Sequence, residues 1–266
     1  WNFGSAFCNT YSSGYSCDGN VGDSILHSDW QVSVMNQISM RKKSPFDYKA
    51  VIFDLDGTLY YQKPFRLCMI RFLVGHALTH PLAIKDFLII KKYRTVREQW
   101  ERYEKECGSQ RSYQKLGLED KQYQYVADRM KVKREDVKKV IHFYMQEAPL
   151  RFLPAYKDGF LSDLITTLHK KKITVAVYSD YPVEDKLKAL GIKADVCYTS
   201  ADASINCMKP DPKGIAVILE DIGCSAKDVL MIGDRYEKDG LAAQGNDVDF
   251  VIVSKKEKER RQLSWS

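Results

Sequence analysis

The sequence Val51-Ile52-Phe53-Asp54-Leu55-Asp56-Gly57-Thr58-Leu59 places an apolar run directly before two acids. β-Branched residues in the run are typical of a buried parallel strand, which we predict over residues 50–53. Asp54 then follows the end of that strand, and Asp56 points to the same side two residues later. Gly57 permits a sharp turn in which a ligand can approach the backbone closely. Because neighbouring carboxylates repel each other, the stretch predicts a cation beside them: a divalent metal, a lysine or both. A solvated acidic turn is the alternative, and later parts of the chain decide between the two.

The later part of the chain alternates predicted strands with predicted helices. The further strands are apolar and rich in β-branched residues, and they cover 173–178, 196–199, 229–232 and 250–253. Helices are predicted over 158–171, 182–190, 214–222 and 237–244. This alternation predicts an α/β fold, a Rossmann-like three-layer α/β/α core with a parallel sheet. Ligands of such sheets bind beyond the carboxyl ends of the strands.

Between the first two predicted strands, the pattern is helical only. Apolar residues recur at helical spacing over 64–79, 82–107, 113–130 and 135–146. The most apolar part, 67–90, is interrupted by charged and histidine side chains too often for a spanning helix of about 20 apolar residues. We therefore predict an all-helical cap inserted into the core, and no membrane as a partner.

The chain is accordingly predicted to have four parts. Residues 1–46 form a poorly ordered tail, 47–62 and 151–254 form the core, 63–150 form the cap, and 255–266 form a charged C-terminal tail. The first residues are rich in Ser, Gly, Asn and Tyr and lack a basic start followed by an apolar run, so no secretory signal is expected. In the C-terminal run acids alternate with bases, which favours a solvated tail over a nucleic-acid-binding patch.

Composition narrows the class of protein. Of 266 residues, 44% are hydrophobic and 29% charged, and the net charge is +6, which is ordinary for a globular protein. The modest charge gives no reason to expect a nucleic acid as partner. Seven scattered cysteines without a C-x-x-C pair predict free thiols in a reducing compartment, and hence a cytoplasmic location. The sequence does not predict an oligomeric state.

Polar side chains occur where the predicted strands end. Two acids follow the first strand, a serine ends the second, and an acid follows the strand 229–232. All of them fall on one rim of the predicted sheet, together with a lysine and an acid from neighbouring segments: Asp54, Asp56, Ser179, Lys209, Asp234 and Asp239. Taken alone, Ser179 could cap a turn, Lys209 could be a surface lysine, and Asp234 could cap a helix. These interpretations together need several coincidences, so a common site is favoured.

Four short segments, in this order, resemble the motifs of the haloacid dehalogenase superfamily of phosphotransferases. They are Asp54-Leu55-Asp56-Gly57-Thr58, the apolar strand that ends in Ser179, Lys209-Pro210, and Gly233-Asp234 followed by Asp239. One such motif is weak, but four in order at strand ends are highly specific. The resemblance covers residues 47–254, and the inserted helices resemble those of the helical-cap branch, which includes phosphoglycolate phosphatase.

The resemblance implies Mg²⁺-dependent hydrolysis of a small phosphorylated metabolite, a phosphomonoester, through an aspartyl-phosphate. Asp54 would be the nucleophile, and Asp56 would be the general acid and then the general base. The implied Mg²⁺ ligands are Asp54, the main-chain carbonyl of Asp56, Asp234 and, as a further or outer acid, Asp239. The implied phosphate-binding residues are Gly57, Thr58, Ser179 and Lys209, of which Lys209 would also neutralise charge beside Asp54.

Several points stay open at the level of sequence. In the resemblance, the dehalogenase branch lacks an acid at the position of Asp56, so this acid favours transfer to water, or to a sugar hydroxyl in a phosphomutase. Glu237 competes with Asp239 for the last acidic role, and Asp180 stands where many relatives have Asn. A non-catalytic interaction protein with an aromatic-rich cap is a further alternative. The cap contains no motif that names the substrate.

Overall fold

A computed structural model describes residues 43–80, 83–108 and 112–260. Its five strands are β1 Ala50–Phe53, β2 Thr174–Ser179, β3 Val196–Thr199, β4 Val229–Gly233 and β5 Asp249–Ile252. They form one parallel sheet in the order β3-β2-β1-β4-β5. This sheet, with helices on both faces, confirms the predicted Rossmann-like α/β fold. The order reverses around β1, which is where sheets of this type bind ligands.

The α-helices are, in chain order, α1 Gln62–Thr79, α2 Ile84–Glu98, α3 Trp100–Gly108, α4 Leu118–Met130, α5 Arg134–Ile141, α6 Gly159–Lys170, α7 Glu184–Leu190, α8 Lys213–Ile222, α9 Leu241–Gln244 and α10 Glu257–Arg260. Strand side chains alternate between the two faces of the sheet. Phe53 therefore packs in the apolar cluster that contains Leu168 of α6, whereas Ile52 packs in the cluster that contains Ile218 of α8. The sheet lies buried between these two helical layers.

Helices α1–α5 lie between β1 and β2, the segment in which the sequence predicts the cap. They have an apolar cluster of their own, built on residues such as Tyr93, Val96 and Val126. The predicted helical stretch 82–107 is two helices that meet at Gln99, and the helix predicted over 113–130 begins only at Leu118. Beyond α5 the chain continues as a π-helix, His142–Glu147. None of the helices in the described ranges is long and apolar enough to cross a membrane.

The folded core begins earlier than the predicted residue 47. Residues 1–42 lie outside the described part of the chain, but the backbone N–H of Ser44 donates to Asp47 Oδ2 at 2.9 Å, and a 3₁₀ turn covers Pro45–Asp47. This reciprocal capping satisfies backbone groups at the start of the turn. The ordered core therefore includes residues 44–46, which the sequence pattern had placed in the tail.

The prediction of a solvated C-terminal tail from residue 255 is wrong for Arg260. Residues 261–266 lie outside the described ranges, but α10 carries Arg260 into the interior, where it is only 1% exposed. Its guanidinium donates to Asp158 Oδ2 and to the Thr58 carbonyl, both at 2.7 Å, and to the Gly57 carbonyl. A solvated tail was predicted because the surrounding charges alternate in sign. The sequence does not show that Asp158 is buried and needs a cationic partner.

Arg260→Met is expected to lower the free energy of unfolding by about 3–5 kcal/mol, because it leaves the buried Asp158 carboxylate without its cation. Lys256→Met is the control: its side chain is 77% exposed in a surface pair with Glu259, so it should change stability by less than about 1 kcal/mol. Urea unfolding followed by circular dichroism measures both values. Equal, small effects would show that the Arg260 contacts do not stabilise the fold.

Candidate active site

The ends of β1, β2 and β4 bring the predicted polar residues together. The N–H of Asp54 donates to the Ile232 carbonyl at 2.8 Å, so the chain after β1 stays attached to the end of β4. Gly57 has φ +108°, and a Cβ there would lie 2.5 Å from Asp234 Oδ2. A side chain at position 57 would therefore clash with the neighbouring acid, which explains why the sharp turn contains glycine.

The buried Lys209 side chain binds the Asp54 carboxylate. The Lys209 ammonium donates to Asp54 Oδ1 and to Asp239 Oδ1, each at 2.6 Å, and the Thr58 hydroxyl donates to Asp54 Oδ2 at 2.9 Å. Burial, reinforced by Asp239, raises the pKa of Asp54 to about 8 against the opposing effect of Lys209. Burial alone would lower the pKa of Lys209, but Asp239 and Asp54 outweigh it and raise that pKa. Negative charge is thus in excess around one buried lysine.

Three carboxylates at this point could hold a metal ion. Asp54, Asp234 and Asp239 each offer an oxygen, and these oxygens lie within 4.8 Å of one another. Asp234 Oδ1 is buried and accepts no hydrogen bond from the described residues, and Arg235 Nε lies 3.9 Å away. Burial and the charge of Asp239 raise the pKa of Asp234. An unpartnered buried carboxylate oxygen beside two other acids is the donor set that a hard cation such as Mg²⁺ prefers.

Asp56 has a different environment from Asp54. Lys186 Nζ donates to both of its carboxylate oxygens, at 2.6 and 2.9 Å, the Ser179 hydroxyl donates at 3.0 Å, and the Tyr60 hydroxyl donates as well. Burial alone would raise the pKa of Asp56, but Lys186, Tyr60 and Ser179 outweigh it and lower the pKa. Asp56 is therefore an oriented carboxylate. Each acid of the opening stretch has a lysine beside it, Lys209 at Asp54 and Lys186 at Asp56.

A cavity of about 660 Å³ lies over these groups, between the sheet and helices α1 and α2. Five of the residues predicted for the site line it: Asp54, Asp56, Gly57, Ser179 and Asp234. The other three, Thr58, Lys209 and Asp239, are buried around Asp54. The Thr58 hydroxyl donates to Asp54 Oδ2, and its contact with phosphate stays a prediction. The Ser179 hydroxyl lines the cavity but is bonded to Asp56.

The structure also separates the two candidate acids of the last motif. Asp239 is buried, accepts from the Arg235 backbone N–H at 3.1 Å and belongs to the carboxylate cluster, whereas Glu237 is exposed. Asp180, which stands where many relatives have Asn, accepts from the Ser200 hydroxyl at 2.6 Å and from the Lys209 backbone N–H at 3.1 Å. Its charge is therefore stabilised locally by protein donors.

Two basic residues of the site were not predicted from the sequence. Lys186 lies in the first turn of α7, the helix that follows β2. In parallel α/β folds such a turn lies at the carboxyl edge of the sheet. The position of Lys186 directly after a predicted strand could therefore have indicated that it belongs to the site. Arg97, from α2, donates to the Asp180 carbonyl and to Gln122 Oε1 and stacks 4.2 Å from the Tyr181 ring. The contact between Arg97 and Asp180 joins cap to core between residues that are 83 positions apart in sequence. No local sequence pattern predicts it.

The charge around the cavity favours an anionic ligand. Nine basic side chains line it against five acidic ones. The basic residues are Lys63, Arg66, Arg94, Arg97, Lys186, Arg235, Lys238, Lys255 and Arg260. Two of the acids, Asp54 and Asp234, belong to the cluster that could hold a metal. With a divalent cation bound there, the site would attract negative charge still more strongly.

Comparison with known proteins places this geometry in a family. A family model described as haloacid dehalogenase-like hydrolase matches residues 48–247. No curated protein matches the chain. Among solved structures, the 2-haloacid dehalogenase of Pseudomonas syringae pv. Tomato DC3000 is 16% identical, over 77% of this chain and 86% of that one, with a TM-score of 0.52.

Two further structures have similar values. The defluorinating L-2-haloacid dehalogenase Rha0230 is 17% identical over 84% of this chain and 89% of that one, with a TM-score of 0.53. The HAD-hydrolase YfnB of Bacillus subtilis, solved with magnesium bound, is 16% identical over 77% and 88%, with a TM-score of 0.51. Likeness at this level of identity shows the fold alone. The family model, in contrast, spans most of the chain and includes every residue of the carboxylate cluster. The chain therefore belongs to the haloacid dehalogenase-like hydrolases.

Proposed function

We propose that this hydrolase is a Mg²⁺-dependent phosphomonoesterase that acts on a small phosphorylated metabolite through an aspartyl-phosphate at Asp54. The observation that supports the proposal most strongly is the position of Asp56, the second acid of the opening stretch. Asp56 lines the same cavity as Asp54 and is held by Lys186 at 2.6 Å and Ser179 at 3.0 Å. A phosphate ester of a poor leaving group needs a proton donor at this point, and hydrolysis of the acyl-phosphate needs a base.

In the first step, a carboxylate oxygen of Asp54 attacks phosphorus, and the bond from phosphorus to the ester oxygen breaks. The departing alkoxide takes a proton from Asp56. In the second step, water attacks the phosphorus of the aspartyl-phosphate while Asp56 takes a proton from it. The bond between phosphorus and Asp54 then breaks and inorganic phosphate leaves. One molecule of water is consumed, and both acids return to their starting states.

The protonation of Asp56 has to change between the two steps. In the free protein its pKa is lowered, so Asp56 is prepared for the base role. A phosphate dianion bound nearby acts in the opposite direction, because a neighbouring negative charge raises the pKa of a carboxyl group. Substrate binding therefore favours the protonated form that the first step requires, and transfer of that proton to the alkoxide leaves the anion that acts as base in the second step.

Mg²⁺, held by Asp54, Asp234 and the main-chain carbonyl of Asp56, would supply positive charge that shields the phosphoryl oxygens from the nucleophile. Asp234 Oδ1, which accepts no hydrogen bond from the described residues, is the structural reason to propose the metal there. Lys209 supplies fixed positive charge 2.6 Å from Asp54 and keeps that carboxylate oriented. Asp239 anchors the same lysine and is the outer acid of the proposed site.

A cytoplasmic location belongs to the same proposal. The cysteines in the described residues are free thiols, and one of them, Cys107, is buried. Free thiols persist in a reducing compartment. A cavity of about 660 Å³ between cap and sheet suits a small molecule, so nucleic acid is not proposed as a substrate.

The function is tested by screening phosphorylated metabolites for phosphate release with Mg²⁺ present, beside 2-haloacids assayed for halide release with and without chelator. Phosphate release from a subset of esters is expected. Halide release without any phosphate release would contradict the proposal and favour a dehalogenase. Conversion of one sugar phosphate isomer into another would indicate a phosphomutase, and no turnover at all would favour an interaction protein.

Asp56→Asn is expected to lower the first half-reaction on an alkyl phosphate by about 10²- to 10⁴-fold in single-turnover experiments. The same change should affect p-nitrophenyl phosphate far less, because nitrophenolate leaves without a proton. Asp163→Asn, an exposed change on α6, is the matched control and should leave both rates unaltered. Equal losses on the two esters would mean that Asp56 does not transfer the proton.

Lys186→Met is expected to raise the KM for phosphate esters roughly tenfold, the effect of about 1.4 kcal/mol. The reason is that Lys186, 2.6 Å from Asp56, no longer supplies positive charge to the cavity that binds the phosphate dianion. Lys188→Met, on the exposed side of the same helix, is the control and should leave KM unchanged. Steady-state kinetics at constant Mg²⁺ measure both. Equal KM values in the two variants would show that Lys186 does not shield the site.

A further inference from the structure

The cavity has two chemically different ends. Its core end contains the acids and the serine described above, and its cap end contains apolar side chains: Met69, Ile70 and Leu73 of α1, Ile90 of α2 and Met145 of the π-helix. The phosphoryl group has to lie at the core end, next to Asp54. Whatever the phosphate is attached to then lies against the cap end. These apolar residues therefore indicate the chemical class of the alcohol that leaves in the reaction.

The apolar surface continues beyond the cavity. A second cavity of about 390 Å³ shares Leu73, Ile90, Arg94 and Glu98 with the first and adds Phe87, Lys91 and Thr95. We call the surface formed by Met69, Ile70, Leu73, Phe87, Ile90 and Met145 the apolar groove; it runs between α1 and α2. Ile70 lines the groove while 55% exposed, so the groove is open to solvent at one side.

Polar side chains of the cap offer little to a hydroxylated ligand in this groove. Arg97 is already bonded to Gln122 at 2.6 Å, to Tyr93 at 3.0 Å and to the Asp180 carbonyl. Arg66, Lys91, Arg94 and Glu98 are exposed at the rim. The Thr95 hydroxyl already donates to the Lys91 carbonyl at 3.1 Å. A sugar hydroxyl placed against the aliphatic wall would give up its hydrogen bonds to water and gain no partner there. A methylene chain in the same place would gain free energy from burial.

We propose that the substrate is a phosphate monoester of an aliphatic alcohol, with the phosphate at Asp54 and its hydrocarbon chain in the apolar groove. The inference rests on the proposed phosphomonoesterase function and specifies its substrate class. The basic side chains at the rim and core end attract the anionic head, and the groove accepts the chain. The same arrangement selects against polyhydroxylated phosphates, whose hydroxyl groups would lose hydrogen bonds to water where they face Met69, Leu73 and Met145.

The test is a series of n-alkyl phosphates, from ethyl to octyl, used below their aggregation concentrations with Mg²⁺ present. The leaving alcohols differ little in acidity, so a trend in kcat/KM reports binding of the chain. We expect a rise of roughly threefold per methylene. Ile70→Asn and Leu73→Asn should reduce the octyl-to-ethyl ratio of kcat/KM toward 1. Because Ile70 is half exposed, its variant remains informative if Leu73→Asn fails to fold.

Leu78→Asn is the control on the same helix, since Leu78 is 80% exposed and does not line either cavity. It should keep the wild-type ratio. Hydrolysis of every ester without a gain from chain length, or faster hydrolysis of glucose 6-phosphate than of octyl phosphate, would overturn the substrate class and leave the phosphomonoesterase function intact. Absence of phosphate release from all esters, p-nitrophenyl phosphate included, would overturn both.

Discussion

Asp54→Asn is expected to lower turnover by about 10⁴-fold or more on every phosphate ester. An amide oxygen is a poor nucleophile and forms no acyl-phosphate, so neither alkyl nor aryl esters can begin the reaction. The loss should be independent of the leaving group, in contrast to that of Asp56→Asn. Phosphate release from p-nitrophenyl phosphate and from an alkyl phosphate measures it.

Stability provides the control for this change. Burial raises the pKa of Asp54, so the folded state does not favour its charged form, and a neutral amide of the same shape should be accepted. The unfolding midpoint of Asp54→Asn should therefore be no lower than that of the exposed control Asp163→Asn. A folded Asp54→Asn variant that keeps a tenth of the wild-type rate would remove Asp54 from the nucleophile role.

Removal of divalent metal is expected to abolish phosphate release, and Mg²⁺ is expected to restore it, because three neighbouring carboxylates and a phosphate dianion repel each other without a cation. Binding should also be visible without any substrate. At a Mg²⁺ concentration about 100 times the Kd, the folded state gains about 2.7 kcal/mol. For a chain of this size that corresponds to an increase in the unfolding midpoint of roughly 5–10 °C.

Asp234→Asn separates metal binding from general destabilisation. The change removes the buried negative charge of Asp234, and Oδ1 of this carboxylate has no hydrogen-bond partner among the described residues. The metal-free protein should therefore not lose stability. The increase in unfolding midpoint with Mg²⁺ should nevertheless shrink, and the Mg²⁺ concentration for half-maximal activity should rise. Asp163→Asn should behave as wild type in both measurements. Full activity in excess chelator would contradict the metal requirement.

The residues at the strand ends could be predicted because local sequence determines them. A buried strand such as 50–53 is recognised by its apolar side chains, and the direction of a parallel sheet then places Asp54, Ser179 and Asp234 on one rim. Asp239 also joins the cluster, while Glu237 stays exposed. The sequence could not distinguish Glu237 from Asp239. The π-helical turn Tyr236–Gly240 directs only Asp239 into the cluster, and no sequence pattern predicts this turn.

The remaining features depend on contacts between distant segments. Arg260 binds backbone carbonyls of the loop that follows β1, about 200 residues earlier in the chain, and the alternating charges around it are equally typical of a solvated tail. Lys186 pairs with Asp56 across 130 residues. The cap helices were recognised by their periodicity, but periodicity does not show which apolar side chains pack inside the cap and which, like Leu73, form the groove.

The most direct test of the central claim is to trap the phosphoenzyme. Asp56→Asn, mixed with p-nitrophenyl phosphate and Mg²⁺ and then quenched in acid, should release a burst of about one nitrophenol per protein molecule, because the first step proceeds while water is poorly activated. Mass spectrometry of its peptides should find one phosphoryl group on Asp54. A burst without a phosphorylated protein, or a phosphoryl group on another residue, would contradict the account.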